Sequence, residues 1–80
     1  MAPRDHYRYE LRDRRKKVYI GITKDPERRM AEHLNEGKSF SKMVLVGPRV
    51  TENSARDWEQ SSLDSFRRGH GGRNPRHNKT

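Results

Sequence analysis

Val18-Tyr19-Ile20-Gly21-Ile22-Thr23-Lys24-Asp25-Pro26-Glu27-Arg28-Arg29-Met30-Ala31-Glu32-His33 reads as a strand, a tight connection and a helix. Val18, Tyr19, Ile20 and Ile22 suit a pleated, buried strand. Gly21 within it signals a close backbone approach or a local kink. Asp25 is a good N-cap, and Pro26 then falls at the first helical position, where its missing N–H costs nothing. Arg29 and His33, four apart, share a face of that helix. Met30 and Leu34, also four apart, mark the neighbouring apolar stripe. A polar pair beside a core-facing stripe, with a tyrosine arriving from the strand before, is how a small site is assembled.

Outward from this stretch the pattern stays regular. His6 to Arg12 alternates, with Tyr7, Tyr9 and Leu11 on one face, the period of a half-buried strand. Asp13-Arg14-Arg15-Lys16-Lys17 is a polar connection, either a phosphate-touching loop or a solvated turn, and so short a link makes the two strands an antiparallel hairpin. Gly37 is placed to cap the first helix, roughly Pro26 to Asn35. Lys42 to Val46 holds the unbroken apolar run Met43-Val44-Leu45-Val46 before Gly47-Pro48, which reads as a buried central strand. Ser54, with Asp57 three residues on, suggests a capping box opening a second helix. Ala55, Trp58, Ser62 and Phe66 step along one face of it, Leu63 lies beside them, and Gly69 ends it. Trp58, Leu63 and Phe66 read as core; His70 and His77 read as exposed and idle. The order β-β-α-β-α predicts an α+β fold, a small three-stranded antiparallel sheet flanked by helices. Residues 6–78 make one domain, with 1–5 and 79–80 as flexible ends.

Eighty residues at 28% hydrophobic can bury only a small core. Nineteen Lys and Arg against eleven Asp and Glu give a formal charge of +8, which points to a polyanion, nucleic acid first. A membrane surface would need an amphipathic helix with bulky apolar residues opposite a basic face, and none is evident. No apolar run spans a bilayer and no signal pattern opens the chain, so a cytoplasmic location is the default. The absence of cysteine excludes disulfides and thiolate metal sites. His6, His33, His70 and His77 do not pair at a metal-ligand spacing, which argues against structural zinc.

These residues resemble the GIY-YIG nuclease superfamily. Tyr19-Ile20-Gly21 stands as its second tripeptide, preceded by Lys17-Val18, with Arg29 ten and His33 fourteen residues after Tyr19. Glu59 on the second helix matches the family's metal-binding glutamate, and Asn78 matches its late asparagine, with Asn74 as a rival. The resemblance runs from about Tyr7 to Asn78. Tyr7-Arg8-Tyr9 stands where the first tripeptide would be and keeps only its tyrosine; alternation puts Tyr7 and Tyr9 on one face and does not choose between them. The link from Tyr9 to Tyr19 is slightly shorter than the family's. The resemblance implies a metal-dependent endonuclease, with DNA favoured over RNA and Mg²⁺ (or Mn²⁺) as cofactor. It extends to the nuclease heads of some bacterial secreted toxins; a toxin head would be delivered from a secreting cell and have an immunity protein as partner. The alternative is a basic nucleic-acid-binding module without catalysis on the same scaffold. Oligomeric state is left open.

The chemistry is consistent with that implication. Phosphodiester hydrolysis needs an aligned water, an acceptor for its proton, and positive charge for the transition state and leaving oxygen. One carboxylate, that of Glu59, is enough to hold a hard divalent cation that keeps most of its waters. Arg29 carries a permanent charge on a fork suited to phosphate oxygens. A tyrosine with a pKa lowered by the cation and Lys17, or His33 itself, accepts the proton. Tyr9 is favoured as base, with Tyr19 and His33 orienting water or substrate, although these roles are exchangeable. Asn78 ties the tail back to the site. Lys17, Lys24, Arg28, Arg14 and Arg15 are the candidate contacts to nucleic-acid phosphates.

Overall fold

The computed structural model describes residues 2–78. Strands β1 (Tyr7–Asp13) and β2 (Lys16–Thr23) form the hairpin, followed by helix α1 (Pro26–Asn35), strand β3 (Lys42–Leu45) and helix α2 (Glu52–Gly69). The three strands make one antiparallel sheet in the order β2-β1-β3, the α+β arrangement expected. No helix among the described residues is long and apolar enough to cross a membrane.

β1 is the central strand, and this corrects the reading of β3. β3 is an edge strand whose Leu45 is 46% exposed. An unbroken apolar run marks burial on both faces only when both flanks are occupied, and β1 takes both neighbours instead. The polar link of the hairpin is also shorter than expected. Asp13 pairs with Lys16, leaving only Arg14-Arg15 as the turn, with Arg14 at φ 63°. A two-residue hairpin turn demands this left-handed conformation, which a non-glycine residue adopts at some cost.

The hairpin register slips once. Leu11 pairs with Tyr19 and Arg12 with Lys17, so Val18 is an extra residue on β2. The bulge turns Val18 into the core with Tyr9 and Leu11. It also places Lys17 beside Glu10, on the other side of the sheet from the tyrosines, where Lys17 Nζ lies 3.0 Å from the carboxylate. Tyr19, Phe40 and Met43 pack partly buried against the core cluster.

The helices dock differently. α2 packs along β2 and, less, β1, with Ala55 fully buried. Trp58, Leu63 and Phe66 are half-buried. Its N-cap is Thr51, whose Oγ1 accepts from the Ser54 N–H at 3.2 Å, so the helix begins before the expected Ser54-Asp57 box. α1 is capped by Asp25, whose Oδ1 accepts from the Arg28 N–H, and it closes on Gly37 at φ +79°. Its one buried residue is His33; Leu34 of the expected apolar stripe is 57% exposed. α1 therefore turns its polar face to the sheet.

The tail is ordered along the open edge of β2. His77 N–H donates to the Val18 carbonyl at 2.8 Å. Asn78 clasps one peptide unit on each side, with Oδ1 accepting from Ile20 N–H at 2.8 Å and Nδ2 donating to Ile20 O at 3.0 Å. The two residues satisfy edge groups that would otherwise invite another strand. His77 is not idle, since its Nε2 also bonds the Ser39 carbonyl at 3.0 Å. At the other end Asp5 bonds His6 and lies 3.6 Å from Lys24. Met1, Lys79 and Thr80, parts of the expected flexible ends, lie outside the described residues.

Candidate active site

Three elements converge on one pair of hydroxyls. β1 supplies Tyr9, β2 supplies Tyr19 and Gly21, and α1 supplies Arg29 and His33. Tyr9 Oη lies 2.7 Å from His33 Nε2, with both side chains fully buried. The Tyr9 and Tyr19 rings stack at 5.8 Å, and the Tyr19 and His33 rings meet edge-on at 4.6 Å. Phe40 closes the far side of His33 at 6.5 Å. Tyr7 pairs with Thr23 at the end of the hairpin and takes no part, so Tyr9 is the tyrosine brought to the site.

Gly21 makes the convergence possible. A Cβ there would lie 2.6 Å from Tyr19 Cε1 and 2.7 Å from Tyr9 Oη. Only glycine lets both rings close over the strand, the close approach its position in the sequence predicts.

The electrostatics follow from burial. Arg29 donates to Glu32, 2.9 Å away, and its charge interacts with both tyrosine hydroxyls. Burial works against its charge, but these partners hold it above its ordinary pKa. Burial pushes Tyr9 up, and neighbouring Tyr19 adds to this, while Arg29 opposes both without prevailing. Lys17, expected to lower this phenol's pKa together with a cation, is committed to Glu10 instead, and Tyr9 is dry. Burial, then the charges of Arg29 and Lys38, push His33 down to about 4, so the ring is neutral at pH 7.

Arg29 can only donate, and its charge beside the Tyr9 oxygen favours a hydroxyl that turns its proton to His33 Nε2. This favours the His33 tautomer with hydrogen on Nδ1. That nitrogen is buried without a hydrogen-bond partner among the described residues, and the Glu36 carboxylate is 3.7 Å away.

Glu59 stands apart. Among the described residues it has no hydrogen bond or ion pair, none linking it to the tyrosine cluster, and burial raises its carboxyl pKa against the influence of Arg56. A half-buried carboxylate without a partner fits a cation that would restore its charge. No group of three His, Cys, Asp or Glu residues among the described residues could form a fuller cage. The donor set therefore suits one Mg²⁺-like ion held by a single carboxylate and its own waters.

Asn78 acts on backbone, not on substrate, by fixing the peptide between Tyr19 and Gly21. Asn74 accepts from Arg67 instead, at 2.6 Å. Of the candidate phosphate contacts, Lys17, Lys24 and Arg28 are engaged with Glu10, Asp5 and Glu32, while Arg14 and Arg15 are exposed without an ion-pair partner among the described residues. Two contributors escaped sequence reasoning. Glu32 orients Arg29, and its i,i+3 spacing was a usable signal. Lys38 lies 5.5 Å over the Tyr19 ring, and no local pattern in its loop announces that.

A family model for the GIY-YIG catalytic domain matches residues 5–74. Asn78 lies beyond those residues. No curated protein and no solved structure matches the chain significantly. The matched span contains Tyr9, Tyr19, Gly21, Arg29, His33 and Glu59, in the element order and juxtaposition just described, and the chain belongs to the GIY-YIG family.

Proposed function

We propose that this GIY-YIG domain, whose family implies a nuclease-type action on nucleic acid, is a divalent-metal-dependent endonuclease hydrolysing DNA phosphodiester bonds. The observation that carries the reading is the 2.7 Å bond from the Tyr9 hydroxyl to neutral His33, beside a permanently charged Arg29. A neutral imidazole nitrogen within hydrogen-bond distance of a phenol has the geometry a proton acceptor needs.

Exposure supports a division of roles. Tyr9 and His33 are sealed, whereas Tyr19 and Arg29 are half-exposed. Tyr19 therefore meets the attacking water. The water's proton passes to the Tyr19 oxygen, the Tyr19 proton to Tyr9, and the Tyr9 proton to His33 Nε2. Tyr9 is the middle of the relay, not the group touching water. Arg29, oriented by Glu32, faces the charge growing on the phosphoryl oxygens. Glu59 would hold Mg²⁺ or Mn²⁺, which when bound supplies Lewis-acid stabilisation of the leaving oxygen. The formal charge of +8 supports a polyanionic substrate.

The test incubates the protein with supercoiled plasmid and, separately, total tRNA, in Mg²⁺ and in EDTA, beside Tyr19→Phe and Glu59→Ala. Cleavage of plasmid that needs Mg²⁺ and is lost in both variants is expected. Cleavage of tRNA alone would overturn the DNA assignment. No cleavage of either substrate, with salt-sensitive binding retained, would leave a binding module on this scaffold. Glu59, which among the described residues shares no bond with the cluster, is the observation favouring that second reading.

A further inference from the structure

A second surface of the molecule is built for charge. Between the hairpin turn, α2 and the tail runs a groove of about 1010 Å³ that none of Tyr9, Tyr19, Arg29 or His33 lines. Among the described residues no carboxylate lines it either. Arg12 and Lys17 on its wall are neutralised by Glu10 beneath. Arg15, Lys16 and Arg73 are exposed and have no ion pair among the described residues, so three cations face the groove uncompensated there.

The same groove carries an aromatic platform. The rings of Phe66 and His70 lie parallel, 3.7 Å apart and 3° from coplanar orientation. His70 Nδ1–H donates to the Phe66 carbonyl at 2.7 Å, which locks the exposed ring in place. A fixed, flat, exposed ring beside free cations has the two properties that unpaired nucleic acid requires: charge along the phosphates and a face on which a base stacks. A duplex hides its base faces and would use only the first.

We propose that this groove seats an unpaired strand of nucleic acid, with Arg15, Lys16 and Arg73 on the phosphates and one base stacked on His70. For its role in catalysis the groove rests on the nuclease reading, as the place that holds substrate away from the scissile bond. Its binding test needs no cleavage.

The experiment measures fluorescence anisotropy of a labelled 12-nucleotide single strand in EDTA, over a salt series, with the full chain. Three variants are compared: Lys16→Gln with Arg73→Gln; His70→Ala; and a charge-matched control, Arg4→Gln with Arg49→Gln, exposed residues outside the groove. The groove pair is expected to lower affinity about tenfold and to reduce the salt slope by roughly 1.4, two phosphates at about 0.7 each. His70→Ala is expected to cost about tenfold, and the same strand in a duplex to bind more weakly. An equal loss in the control pair would overturn the groove in favour of diffuse charge. Equal duplex affinity with no effect of His70→Ala would overturn the unpaired strand. Intact groove binding by a protein that cleaves neither plasmid nor tRNA would sink only the nuclease reading.

Discussion

The tyrosine cluster and the basic groove both depend on charged and aromatic residues, yet they are built in opposite ways. In the cluster the Tyr9 hydroxyl is bonded to His33, two side chains have no exposure, and the cation is clamped by Glu32. In the groove the useful cations are exposed and have no ion pair among the described residues. Bond-breaking chemistry needs dipoles fixed before the reaction, in a dry site where they act strongly. Holding a polyanion needs only a local excess of charge, which salt can screen. The cluster also does structural work that the groove does not. His33 is the one buried residue of α1, so the helix is held to the sheet by its own candidate catalytic group.

That contrast can be broken at several points. The largest effect is expected at Tyr9. Tyr9→Phe removes the middle of the relay, and kcat on plasmid should fall roughly 10²–10⁴-fold with KM little changed. A variant that instead raised KM alone would place Tyr9 with the groove residues, as a binding group.

Next comes the pH dependence of stability. His33 titrates near 6.5 when unfolded and near 4 when folded, so the unfolded chain binds more protons between those values. Stability present above pH 6.5 is therefore lost as pH falls, by on the order of 3 kcal/mol at the acid end. Denaturant melts from pH 7 to 5, above most of the carboxylate range, should show the slope, and His33→Gln should abolish it. A slope that survives the substitution would mean the burial of His33 is not its cause.

The smallest effect is expected from Asn78→Ala, which severs the tail's two bonds to Ile20. A loss of about 2 kcal/mol is expected, lowering Tm by about 10 °C. Hydrogen exchange at the Ile20 amide should accelerate at the same time. An unchanged exchange rate would show that the tail does not guard this edge, and the cluster would then owe its rigidity to packing alone.

How much of this was legible follows from the range of each interaction. The sequence by itself determined the element order, the Asp25-Pro26 start of α1, the need for glycine at position 21 and the shared face of Arg29 and His33, because propensity, capping and helical spacing act within a few residues. It also determined the excess of positive charge. Only the tertiary structure decided that β1 and not β3 is central, since pairing partners are chosen across the sheet. The bulge at Val18 decided that Lys17 answers Glu10 and not a tyrosine. The packing of α1 decided that its polar face turns inward, leaving Leu34 in water. The last decision set the chemistry: burial, a property of no single residue, is what keeps His33 neutral and Tyr9 protonated beside it.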